Sequence, residues 1–94
     1  MPFNWFDAQE AKEFGVVLAR FHIENIPLDK TMPPTKQQEL LNKLFQQMVK
    51  FKLDHKLNIY KRAQLGNVFK WELMEAGYDR EYVDQITKQL MLIR

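Results

Sequence analysis

Ninety-four residues, 46% of them hydrophobic and 28% charged, supply enough apolar surface for one core and too little chain for two, so a single helical domain over residues 1–94 is expected. The chain has no cysteine, which excludes a disulfide framework, a thiolate nucleophile and any Cys-based zinc site. Formal net charge is only +2, yet residues 35–70 hold eight of the fourteen Lys and Arg side chains and two of the twelve Asp and Glu, so the basic character sits in the middle. A solvated helix face beside acidic neighbours is the commoner source of such asymmetry, and an anionic partner is the alternative.

The first helix is announced by Asp7 with Glu10 three residues on, the spacing of a capping box, and is expected to run to about Asn25. On a helical wheel Ala8, Ala11, Phe14, Gly15, Leu18, Phe21 and His22 share one arc. Phe3, Trp5 and Phe6 precede the cap, with Phe6 placed as a hydrophobic staple, and are expected to fold back onto the bundle. The apolar run Phe14 to Ala19 ends at Arg20, too short for a signal-peptide core or a bilayer span. No membrane contact and a cytoplasmic location are expected.

Ile26 to Pro34 contains three of the four prolines and reads as the main loop. Thr35 with Gln38 repeats the capping-box spacing, and Leu40, Leu41, Leu44, Phe45, Met48 and Phe51 make the clearest amphipathic pattern in the chain. Val49 and Leu53 widen that arc, as if two neighbours covered it. A break near Lys56 to Asn58 rests on Asn58 as a cap, with one continuous bent helix as the alternative. Beyond it Ile59, Ala63, Gly66, Phe69, Leu73 and Ala76 form a stripe that stops at Gly77, a residue suited to the left-handed turn after a helix. Asp79 is placed to cap a last helix carrying Tyr82, Val83, Ile86, Leu90 and Ile93 on one face. Four such segments predict an all-α small four-helix bundle, three longer helices plus a C-terminal one. Gly15 and Gly66 lie inside stripes at a cost of about 1 kcal/mol each relative to alanine, so a second helix or an aromatic ring should approach closely there.

Chemistry has few footholds. The chain has no serine, its threonines are Thr31, Thr35 and Thr87, and three glycines cannot build a phosphate-cradling loop, so no enzyme activity and no cofactor is expected. His22 and His55 both project onto apolar arcs, but in an antiparallel hairpin they would lie about 25 Å apart, which makes each a boundary-core histidine with a hydrogen-bond partner. Lys50, Lys52, Lys56, Lys61 and Arg62, with Phe51 and Tyr60 interleaved, form the one candidate anion-binding stretch. The run LMEAGYDREYVDQITKQL has the outline of a helix-turn-helix, although Asp79, Glu81 and Asp84 would repel phosphates. It also resembles the first loop of a ubiquitin-associated domain, over under a fifth of the chain, with no binding residue carried over.

Tyr60, Val68 and Trp71 fall about 120 to 180 degrees from the core stripe of the third helix. Either the N-terminal aromatics or another helix of the same chain covers them, or a second chain does. The expectation that follows is a non-enzymatic protein-protein interaction module that self-associates, as a homodimer or with another protein. Nucleic-acid or anionic-ligand binding through residues 50–62 is the alternative.

Overall fold

A computed structural model describes residues 5–29, 31–55 and 57–93, with side chains from residue 9 onward. Four helices follow one another: α1 (Trp5–Asn25), α2 (Pro34–Asp54), α3 (Ile59–Glu75) and α4 (Arg80–Met91). No strand occurs among the described residues, and the all-helical bundle expected from the periodicity is what forms. The body is elongated, 49 × 24 × 19 Å.

The termini follow local chemistry, with two departures from the sequence pattern. Asn58 caps α3, its side chain accepting from the Lys61 amide at 2.8 Å, and so separates α2 from α3. The continuous-helix alternative is thereby excluded. Asp79 caps α4 by accepting from the Tyr82 amide at 3.2 Å. Gly77 has φ +101, and the amides of Gly77 and Tyr78 bond the carbonyls of Met74 and Leu73, the pairing of a Schellman turn. Thr35 does not cap α2, which starts a residue earlier behind Pro33 with no side-chain cap. Pro34 enters the first turn with φ preset and no amide to satisfy, and Gln38 bonds Asn42 instead. Likewise α1 begins at Trp5, so Asp7 falls within the first turn instead of ahead of it. The staple proposed for Phe6, and the packing of Phe3 and Trp5, lie outside the described side chains.

The chain runs up, down, up, down. Phe14 stacks on Phe51 at 4.1 Å and Glu10 pairs with His55 at 2.9 Å, which makes α1 and α2 antiparallel. Met91 packs on Gly66 and Lys70 pairs with Asp84 at 3.1 Å, which makes α3 and α4 antiparallel. The closest seam is the parallel one between α1 and α3. A Cβ added at Gly15 would stand 2.7 Å from the Leu65 carbonyl oxygen and 3.2 Å from Val68, so the backbones meet where Ala11, Gly15 and Ala19 leave α1 without bulk. At Gly66 the added Cβ would meet the sulfur of Met91 at 2.7 Å. Both helix-interior glycines therefore mark the close approach their positions implied. Leu18, Leu44, Met48, Leu65, Phe69, Leu73, Val83 and Leu90 fill the core from all four helices.

Two apolar arcs are narrower than the wheel suggests. Ile59 projects to the core side of α3 but is 88% exposed, because α4 ends against Arg62 and Gly66, about one turn short of it. Ala63 is exposed as well, and the buried stripe of α3 is Leu65, Gly66, Phe69 and Leu73. On α2, Val49 and Leu53 are exposed, since α2 packs chiefly on α1 and one neighbour covers it where two were expected.

Candidate functional site

The end of the bundle where α1 runs out and α4 begins contains a cleft of about 340 Å³. Its walls come from three places: the proline-bounded loop after α1, the first turn of α2, and the Schellman turn with the first turn of α4. The loop is anchored by Ile26, which is buried and whose carbonyl accepts from the Tyr78 hydroxyl. Gly77, with φ +101, turns the chain from α3 towards the opposite wall beside Leu28.

Beneath the cleft lies a polar chain. Gln37 donates from Nε2 to the Tyr82 hydroxyl at 3.3 Å, and that hydroxyl stands 2.6 Å from Nε2 of His22. His22 is fully buried, and burial pushes its pKa down to about 4 against a smaller opposing effect of its own backbone, so the imidazole is neutral at physiological pH. The Gln37 amide donates to the Tyr82 hydroxyl, and one proton, carried by either partner according to the imidazole tautomer, joins that hydroxyl to Nε2 of neutral His22. Nδ1 has no hydrogen-bond partner among the described residues. This imidazole packs edge-to-face with the rings of Tyr78 and Tyr82, at centroid distances of 4.8 and 5.5 Å. Burial raises the pKa of both tyrosines, Tyr82 with Gln37 opposing and Tyr78 adding to the effect, so both hydroxyls stay protonated.

The residues singled out by pattern are placed elsewhere. Tyr60 and Trp71 are 45% and 63% exposed on the outer side of α3, whereas Val68 is half-buried at the α1 seam against Gly15. Of the basic stretch, Lys52 and Lys61 meet at an open depression between α2 and α3 that Asp54, His55 and Asn58 share. Lys50 is exposed on α2 away from that depression, and Arg62 turns aside to donate to the Met91 carbonyl at 3.3 Å. Lys56 lies outside the described residues. His22 and His55 each have the hydrogen-bond partner expected of a boundary histidine, His55 through Phe51 and Glu10. Among the described residues no helix is long and apolar enough to cross a membrane.

No family model, curated protein or solved structure matches this chain. The cleft escaped the pattern reading because its residues are dispersed over positions 26 to 82 and belong to no motif. Its one linear trace is Tyr78-Asp79-x-x-Tyr82, two aromatics four residues apart across a helix cap, directly after a turn glycine.

Proposed function

We propose that this chain is a non-enzymatic helical interaction module that self-associates through the outer face of α3. The observation that carries the reading is the pair Tyr60 and Trp71, both exposed and diametrically opposite the buried stripe of that helix. They are eleven residues apart, which at ~100 degrees and ~1.5 Å per residue returns them to one line about 16 Å long. Ala63 and Asn67, exposed between them, are small and uncharged. A two-fold antiparallel crossing would set Trp71 of one copy beside Tyr60 of the other, over a short-side-chain centre that lets the helices approach. The lack of cysteine suits a reducing compartment, and a cytoplasmic location is part of the same proposal.

Light scattering over a concentration series, with Trp71→Ala alongside, tests this. A dimer that the variant dissociates while its helicity is unchanged is expected, and a protein that stays monomeric at high micromolar concentration would rule the proposal out. The second reading is an anion binder, supported by the convergence of Lys52 and Lys61 at one depression and weakened by Asp54 on the same rim. Fluorescence polarisation of labelled single-stranded RNA at rising salt decides it: steep salt-dependent binding supports it, and no binding at low salt removes it.

A further inference from the structure

The cleft at the α1–α2 loop has a chemistry that selects by charge. Among the described residues its lining holds two carboxylates, Asp29 and Asp79, and no cation. Arg80 lies outside the lining, and Lys36 is paired with Glu39 at 4.0 Å. Both carboxylates are pinned by one oxygen, Asp29 by the Thr31 hydroxyl at 2.7 Å and Asp79 by the Tyr82 amide at 3.2 Å. In each the other oxygen has no partner among the described residues. Tyr78 and Tyr82, with ring centroids 6.2 Å apart and planes 24° from parallel, contribute two electron-rich rings to the same wall. The Tyr82 hydroxyl, bonded to both His22 and Gln37, lies on the same wall. Ile26, Leu28 and Met32 supply the apolar remainder.

From this arrangement we propose that the cleft is a binding site for a small organic ammonium ion, a protonated amine carried on a single-ring or short-chain apolar body. The carboxylates accept from the ammonium group, the tyrosine rings attract its charge through their faces, and the aliphatic wall takes the body. An anion of the same size meets the negative charge of Asp29 and Asp79 and no cation among the described residues of the lining. The volume, at the lower end of the roughly 300–1,000 Å³ usual for small-molecule sites, suits a ligand of this size and not a folded partner. The site is separate from the outer face of α3 and does not depend on self-association.

The test is an NMR titration of the full chain, labelled with nitrogen-15, using 2-phenylethylamine, its uncharged analogue 2-phenylethanol and the anion 3-phenylpropanoate. Shifts concentrated at the amides of Leu28, Asp29, Tyr78, Asp79 and Tyr82 are expected for the amine, with an affinity about tenfold above that for the alcohol and no saturation by the carboxylate. Asp29→Asn and Asp79→Asn keep both pinning hydrogen bonds, because asparagine also accepts from a hydroxyl and also caps a helix. The double variant should therefore fold as the parent does and bind amine and alcohol alike. Equal affinity of the parent for amine and alcohol, an amine affinity unchanged in the double variant, or amine shifts centred elsewhere would each overturn the proposal. So would binding of an oligolysine peptide without binding of the free amine, which would assign the cleft to a protein partner.

Discussion

Neutral His22 makes the stability of this bundle depend on acidity in a way that can be worked out beforehand. The folded state holds the imidazole at a pKa of about 4, whereas in the unfolded chain it returns to the ordinary imidazole value of 6.5. Well above pH 6.5 neither state binds the proton and the full stability is present. As the pH falls from 6.5 towards 4 the unfolded chain takes up a proton that the native chain refuses, so stability declines, and it levels off once the native ring also titrates. The whole span corresponds to about 3 kcal/mol, of which about 2 kcal/mol is lost between pH 7 and pH 5, while most carboxylates are still ionised. Urea unfolding followed by far-UV circular dichroism at pH 7, 6 and 5 reads this directly. His22→Leu serves as the comparison, since it lacks the proton site, fills similar volume and carries every other titrating group. The parent should lose about 2 kcal/mol more than the variant over that interval. Parallel pH profiles of the two proteins would refute the reasoning, as would an NMR titration of the His22 ring with a midpoint near 6.5.

The two interior glycines should respond unequally to alanine. Gly15→Ala drives a Cβ against the Leu65 carbonyl, a backbone atom that cannot step aside, and is expected to destabilise by about 1–3 kcal/mol in urea unfolding. Gly66→Ala meets only the flexible end of Met91, so the gain of about 1 kcal/mol in helix propensity should leave it near neutral. Equal losses would mean that the α1–α3 seam can relax. At the helix starts, Asn58→Ala should cost about 1 kcal/mol and Asn58→Asp almost nothing, because either acid or amide can receive the Lys61 amide. Thr35→Ala should be silent in the same assay, because Thr35 caps nothing; a loss as large as that at Asn58 would contradict the α2 start described above.

Most of the architecture was legible because it is written in local chemistry. Asn58, Gly77 and Asp79 each act within three residues of themselves, and each does what its type and position imply. The failures share a cause as well. Thr35 was outcompeted by Pro34, whose fixed φ starts the helix without a side-chain cap. Ile59 and Leu53 have the right angular phase but sit where the neighbouring helix has ended or is missing, and phase carries no information about where a neighbour stops. Trp71 and Tyr60 were recognisable as surplus aromatics because exposure opposite a core stripe is periodic. The cleft was not, since Asp29, Gln37, Tyr78 and Tyr82 become neighbours only after all four helices have docked. His22 was read as a boundary residue; its complete burial depends on the two tyrosines that close over it from beyond Gly77.

The seam at Gly15 and Leu65 also sets the order in which the chain can assemble. Its two sides are fifty positions apart, and the connecting stretch includes all of α2, so this close helix pairing closes a long loop. An up-and-down bundle usually gathers itself from hairpins of sequential neighbours and folds fast for that reason. Here the hairpins of α1 with α2 and of α3 with α4 can form early, but neither contains the seam. The seam therefore closes only when the two hairpins dock on each other, a bare stretch of α1 against the Leu65 carbonyl of α3.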